Sequence, residues 1–409
     1  MPHPNTAVSG SAADAHATAS RRVTAAHDAV APALARARDS LVGLSHALHA
    51  DPELAWEEVR AARRLCGLLD DLGYDVTPGI ADLPTAFAAT TGSGPLHVAI
   101  CAEYDALPGL GHACGHNMIA AMAVGAATVL RPLADDLGLR VTVLGTPAEE
   151  GGGGKIYLLE RGAFDGVHAA MMVHPGPVDV AEAEPFAVSH LRVRFHGKGA
   201  HAAAYPEQGI NAADAFTVSQ VAIGLLRQQL PMSTRVHGVQ TRGGEAPNAI
   251  PELTEGRWYV RAADLAQLDV IEQRVRRCFE AGALATGSEL EIEPESPPYA
   301  EFVNDPGLVA FYRSHAQALG RRFPAGDPAG RMNRASTDMG NVSRVIPAMH
   351  PYIGIDSLPA VNHQQEFAAH CVSSAADAAV LDGAAAMAHV VVDAATSPEL
   401  RTRLLGEEG

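Results

Sequence analysis

Cys114 and His116 in His112-Ala-Cys-Gly-His116, Glu149 and Glu150 in Thr146-Pro-Ala-Glu-Glu150, and His174 in Met172-Val-His174-Pro each follow a run that reads as a β-strand. His363 comes much later, in Val361-Asn-His363-Gln. Thiolate, imidazole and carboxylate together suit Zn²⁺, Mn²⁺, Co²⁺ or Ni²⁺, with availability deciding among them. Residues far apart in sequence meet if each sits at the carboxyl end of a parallel strand, the edge where open α/β sheets bind ligands. The pattern points to a metal-assisted hydrolase.

Two positions apart, Cys114 and His116 do not share a helix face. A loop entering a helix at Asn117 turns both toward one point. Taken alone, the segment also reads as a buried thiol between capping histidines, or as a Cys–His pair in which His116 lowers the thiol pKa. The nucleophile reading leaves the later carboxylates unexplained. Glu149-Glu150 lies between an apolar strand and four glycines, Gly151 to Gly154. Adjacent carboxylates in a low-dielectric site raise each other's pKa unless a cation neutralises one. That divides the labour, with one carboxylate on metal and the other free as a general base. The glycines match no P-loop, because Lys155 comes without the required spacing. Asp105, in Glu103-Tyr-Asp105-Ala-Leu-Pro108, also follows a strand and is placed to orient a ligand histidine.

The elements that must position these residues alternate. Helical spacing runs from Ala25 to His49, closed by Asp51-Pro52, and again from Trp56 to Leu72. Strands at Leu96–Cys101, Val141–Gly145 and Ala169–Val173 then alternate with helices at Ile119–Leu130 and Ile156–Arg161, which predicts a mostly parallel sheet with helices on both faces. From His190 the order becomes strand, helix, two strands, helix, strand, ending at Glu293. That is the βαββαβ, ferredoxin-like arrangement. After Tyr299 the α/β pattern returns, with a helix at Pro306–Leu319, an irregular stretch at Gly320–Arg334 and a strand near Tyr352–Ile355. The fold class expected is therefore α/β: a catalytic domain over 25–188 and 297–409, an inserted domain over 189–296, and a disordered tail over 1–24.

The 409 residues predict two or three domains, and an apolar fraction of 47% supplies a real core. Thirty Lys and Arg against 47 Asp and Glu, a net charge of −17, argue against nucleic acid or an anionic membrane surface as partner. The scattered, odd set Cys66, Cys101, Cys114, Cys278 and Cys371 suits a reducing, cytoplasmic compartment. No apolar run approaching ~20 residues is apparent, so no membrane span is expected. A twin-arginine signal at Arg21-Arg22 is rejected for the charge that follows where an apolar region should begin.

Four segments, Glu103 to Asn117, Pro147 to Gly154, Gly197-Lys-Gly-Ala-His201-Ala and Gly243-Gly-Glu-Ala-Pro-Asn248-Ala-Ile-Pro251, resemble the M20 metallopeptidase family. Within it they are similar to the branch of aminoacylases, indole-acetyl-amino-acid hydrolases, aminobenzoyl-glutamate hydrolases and related dipeptidases. The resemblance runs from about Leu41 to His370. It implies that Cys114, His116, Glu150, His174 and His363 hold two divalent ions and that Glu149 is the general base. It further implies that His201 and Asn248 lie on a lid that also forms a homodimer. There His201 stabilises the oxyanion, in its own site or in the partner's, and Asn248 binds the substrate carboxylate or carbonyl. The implied reaction is cleavage of N-acyl amino acids or dipeptides by metal-activated water. A binding protein that does not cleave, and a hydrolase using Cys114 and His116, are the rival readings. The chain has Asn117 where the branch commonly has Asp, a variant that tilts the substrate toward molecules with a free carboxylate. Arg257, Arg261, Arg331 and Arg334 are candidates to meet that carboxylate, and Ser336-Thr-Asp338-Met-Gly-Asn341 also resembles the branch without an evident role.

Overall fold

The computed structural model describes residues 9–407 except 325, 327–329 and 332–333. In chain order the helices are α1 (Ser9–Ala50), α2 (Val59–Asp71), α3 (His116–Leu130), α4 (Gly154–Glu160), α5 (Ala212–Leu226), α6 (Leu265–Thr286), α7 (Pro306–Ala318), α8 (Met339–Ser343), α9 (Gln365–His370), α10 (Ser374–Thr396) and α11 (Pro398–Leu404). The strands are β1 (Asp75–Pro78), β2 (Phe87–Thr91), β3 (Leu96–Ala102), β4 (Leu139–Gly145), β5 (Ala169–Met171), β6 (His174–Gly176), β7 (Ala187–His196), β8 (Arg235–Arg242), β9 (Leu253–Ala262), β10 (Glu289–Pro294), β11 (Ala348–Met349) and β12 (Tyr352–Gly354).

A six-stranded sheet has the order β1-β2-β4-β3-β5-β11. Its four strands from β4 to β11 are parallel, while β2 and β1 add an antiparallel edge. Every residue of β3 is buried, which requires cover on both faces of the sheet. The apolar runs that mark β3 and β4 in the sequence are the signature of such a doubly covered strand. The helices α1, α3 and α10 pack on one another. Side-chain caps at Asp305 and Ser373 start α7 and α10 by accepting the first free backbone N–H groups.

The order β7-α5-β8-β9-α6-β10 is the βαββαβ order expected, and it forms its own antiparallel sheet, β10-β7-β9-β8. Alternate residues of β9 face a separate apolar cluster that includes Leu191, Phe195, Phe216, Trp258 and Phe279.

Three expectations change. Residues 9–24 are helical, not a disordered tail: the alanine-rich run from Ala12 to Ala19 has high helix propensity and continues a helix anchored at Ala26, Val30 and Leu34. Residues 1–8 lie outside the described residues. Second, α10 is long and apolar enough by composition to cross a membrane, which the sequence reading overlooked. Here it packs against α1, α3 and α7 as a core helix. Third, Trp56 stands outside α2 at φ 70°, so that helix starts at Val59. The stretch 320–334 falls partly outside the described residues.

Candidate active site

The parallel strands deliver the predicted residues to one edge. Asp105 follows β3, Glu149 and Glu150 follow β4, and His174 follows β5 and opens β6, where it pairs in register with Tyr352 of β12. Cys114 lies in the loop that becomes α3, and His116 is that helix's first residue. Gly115 between them sits at φ 84°, and a Cβ there would come within 2.4 Å of Pro175 Cγ. Only glycine both adopts that backbone and lets the loop press against β6. His363, at φ 67°, donates its backbone N–H to Ala113 O at 2.8 Å, while Asn362 Nδ2 donates to Pro175 O at 3.1 Å. The late histidine is thus tied to the loop that carries Cys114.

Two ligand groups result, Cys114/His116/His174 and Cys114/Glu150/His363, and Cys114 belongs to both. A third, Glu103/His116/Glu149, adjoins them; within each group the ligand atoms lie within 4.8 Å of one another. Cys114 Sγ is 3.5 Å from His174 Nε2, and His363 Nε2 is 3.2 Å from Glu150 Oε1. The other ring nitrogens are held. His116 Nδ1 bonds Asp105 Oδ1 at 3.0 Å, and His174 Nδ1 bonds Pro175 O at 2.8 Å. Each arrangement leaves Nε2 facing the cluster, the usual outer-shell support of a metal-binding histidine. Asp105 also accepts the Glu150 backbone N–H through Oδ2 at 2.9 Å, so one carboxylate orients both segments.

Whether these residues fit a cation is decided by what they lack. Among the described residues, His116 Nε2, Glu103 Oε2 and Glu150 Oε1 are buried without a well-formed hydrogen bond: His116 Nε2 and Glu103 Oε2 lie 3.4 Å apart, and Glu150 Oε1 lies 3.2 Å from His363 Nε2. Buried polar atoms are ordinarily paired, so three such atoms around a shared thiol fit divalent ions. The charges agree. Burial and Glu150 push the Cys114 thiol up, but His174, His363 and His116 hold it down to about 6. Burial opposes ionisation of Glu150, yet His363 brings it to about 2 while that histidine rises to about 11. Glu149 is held well above the usual carboxylate range by burial and by Glu103, Glu150 and Asp338.

A cavity of about 610 Å³ opens over the cluster, lined by Cys114, Glu149, Glu150, His174 and His363 on one side and by residues of the second sheet, among them Tyr259 and Arg261, on the other. Of the four arginines considered, Arg257 and Arg261 line it. Glu295 neutralises Arg257, with both oxygens 2.8 Å from Nε. Arg261 bonds Ser336 Oγ at 2.6 Å and His237 Nε2 at 3.3 Å and, among the described residues, has no carboxylate partner. His201 and Asn248 are exposed and outside the cavity's lining. They sit side by side, with the Ala202 N–H donating to Asn248 O at 2.9 Å and a bridge joining His201 to Ala249.

Sequence reasoning passed over Glu103, Lys155 and Asp338. Fully buried, Lys155 bonds Glu103 at 2.5 Å and Asp338 at 2.7 Å, and its backbone N–H donates to Asp338 as well. The signal available was Lys155 right after the glycine run and Asp338 in the segment whose role was open. That segment also supplies Ser336 beside Arg261, and Asn341, which binds the Ala300 N–H. Asn117, the departure from the common branch pattern, bonds Ser45 on α1 and Cys371 O and does not line the cavity.

The model of peptidase family M20/M25/M40 matches residues 99–393. The chain is 40% identical over 381 residues to the Xaa-Arg dipeptidase of Mus musculus, covering 89% of this chain and 88% of that one. It is 33% identical over 261 residues to one of the subunits of p-aminobenzoyl-glutamate hydrolase from Escherichia coli, covering 59% of this chain and 54% of that one. Among solved structures, the aminobenzoyl-glutamate utilization protein of Klebsiella pneumoniae superposes with a TM-score of 0.68 at 20% identity, over 88% of this chain and 98% of that one. A dinuclear metal-binding peptidase of the M20 family from Bacillus subtilis does so with a TM-score of 0.61 at 22% identity, over 86% and 98%. Motifs, fold and relatives therefore agree: the chain belongs to peptidase family M20/M25/M40 and is an enzyme that acts on amide or peptide bonds.

Proposed function

We propose that this enzyme is a metal-dependent amidohydrolase that cleaves N-acyl amino acids or dipeptides bearing a free carboxylate, with Glu149 as general base. The observation that carries this reading is a cavity holding both the ligand cluster with Glu149 and Arg261, a cation without a carboxylate partner among the described residues. Cys114, His116, Glu150, His174 and His363, whose two ligand groups share Cys114, would hold two ions, Zn²⁺, Mn²⁺, Co²⁺ or Ni²⁺. Ions so held supply Lewis acidity, lowering the pKa of water toward about 7 and polarising a carbonyl. Glu149 accepts the proton of the attacking water and delivers it to the leaving nitrogen. Asp105 keeps His116 in the tautomer that faces the cluster. Arg261 receives the substrate carboxylate, as a guanidinium suits that planar group.

His201 and Asn248, exposed and outside the lining of their own cavity, fit a role in the site of a second copy, so a homodimer through the βαββαβ lid domain is part of the proposal. There His201 donates to the developing oxyanion and Asn248 to the substrate. The relatives' names, Xaa-Arg dipeptidase and p-aminobenzoyl-glutamate hydrolase, support this class of substrate. The free cysteines fit a cytoplasmic setting.

The test is hydrolysis of N-acyl amino acids, dipeptides and aminobenzoyl-glutamate by protein stripped of metal and reloaded with Mn²⁺, Zn²⁺ or Co²⁺. Cleavage restored by metal is the expected result. Cleavage that survives stripping would transfer the chemistry to Cys114 and His116.

A further inference from the structure

Away from the cavity, His27 on α1, His315 on α7 and His389 on α10 each present a ring nitrogen, and the three atoms lie within 4.8 Å of one another. Asp393 stands four residues after His389 on α10, the spacing that puts two side chains on one helix face. Its carboxylate reaches His27 Nε2 at 3.1 Å and His315 Nε2 at 2.5 Å, while His27 Nδ1 and His389 Nδ1 are 2.8 Å apart. The cluster is neither sealed nor loose: the side chains of His27, His315 and Asp393 are 23, 22 and 15% exposed, so a small ion can enter from solvent.

The protonation states suit ligation. Burial, then His315 and His27, push His389 down to about 4, so its ring is neutral at physiological pH. Burial would raise Asp393, but the bonds from His27 and His315 bring it to about 2, so it is ionised. Neutral imidazole is the form that binds metal, and an ionised carboxylate on the other ring nitrogen orients such a ligand.

We propose that His27, His315 and His389 form a second metal site, separate from the active site, that takes one borderline divalent ion such as Zn²⁺ through three imidazole nitrogens, with Asp393 orienting the His27 and His315 rings through their Nε2 atoms. None of the four lines the active-site cavity. An entering ion displaces the ring-to-ring bond between His27 and His389 and ties α1 to α7 and α10.

The test uses the full chain without a histidine tag, stripped by chelator, titrated with Zn²⁺, desalted and assayed for metal content. Wild type is expected to retain one equivalent more than His389→Ala and one more than His27→Gln. The second variant changes a partly exposed side chain and guards against misfolding in the first. Because the readout is a difference, it stands whatever number of ions the active site holds. Equal metal content in wild type and His27→Gln would overturn the site. So would a Zn²⁺-induced rise in Tm of equal size in both, since a bridging ion stabilises only the protein that binds it.

Discussion

Lys155 bears more of the site's stability than its absence from the ligand set suggests. Its ammonium is the shared partner of Glu103 and Asp338, and all three side chains are fully buried. Burial works against ionising Glu103, and Lys155 overcomes it, bringing that carboxyl to about 2; Asp338, less well compensated, stands at about 6. Removing one member of such a group strands the others without compensation, at a cost of roughly 3–5 kcal/mol. Lys155→Met should therefore lower the stability measured by denaturant titration by that much; an unchanged midpoint would show the network is dispensable. The metal-ligand candidates were legible because Cys, His and Glu declare their chemistry by type. Lys155 was not, since nothing in a lone lysine after glycines tells that two distant carboxylates will enclose it. His201 and Asn248 were singled out only through the family motif, and they stand on exposed segments outside the lining of their own chain's cavity.

Among the elements, the loop from His112 to His116 shows how a short segment is made rigid enough to hold ligands. Its fit to β6 depends on Gly115, where a side chain would collide with the Pro175 ring. Gly115→Ala should cost on the order of 2 kcal/mol in stability through left-handed strain and overpacking. It should also weaken metal retention, because Cys114 and His116 flank it. Metal titration beside a denaturation curve checks both, and wild-type values in both would contradict the assigned constraint. The long apolar or alternating strands, β3, β4, β7 and β9, were readable from their patterns. The two edges of the sheet were not: β1, on the antiparallel edge, is mostly exposed and four residues long, and β11, on the parallel edge, has only two residues, too few for any periodicity. Their pairing is set by neighbours rather than by their own sequence.

The whole molecule combines a site on one sheet edge with a second sheet across the cavity, and two predictions belong to that scale. If His201 serves the partner's site, mixing Glu149→Gln with His201→Ala subunits should recover activity absent from either alone, since one site of the mixed dimer then has both residues intact. Mixtures no more active than the separate variants would place His201 in its own chain's site. The second prediction concerns pH. Burial, followed by nearby positive charge, holds His97 to about 4 and His112 and His190 to about 3, against an ordinary value of 6.5. The unfolded chain takes up protons as pH falls through 6.5 while the folded rings resist, so stability is full above 6.5 and lost toward pH 4, at roughly 1 kcal/mol per pH unit for each ring. His97→Gln, remote from the cavity, should make the acid limb of the Tm–pH curve shallower; an unchanged limb would mean His97 titrates normally. The α/β class and the βαββαβ order were legible from the alternation of patterns. The helical start at Ser9 was not, because an alanine-rich run without apolar spacing looks like a tail until the helix it continues is anchored.

The most direct measurement on the central claim is the pair of metal content and kcat for Glu149→Gln beside wild type, each stripped and reloaded with the same ion. The structure places Glu149 beside the ligands but outside the two groups that share Cys114. The variant should therefore keep the wild-type metal equivalents while kcat falls by about 10²–10⁴-fold, the usual contribution of a general base. Wild-type kcat with metal retained would remove Glu149 as the base, and loss of metal in the variant would make it a ligand instead.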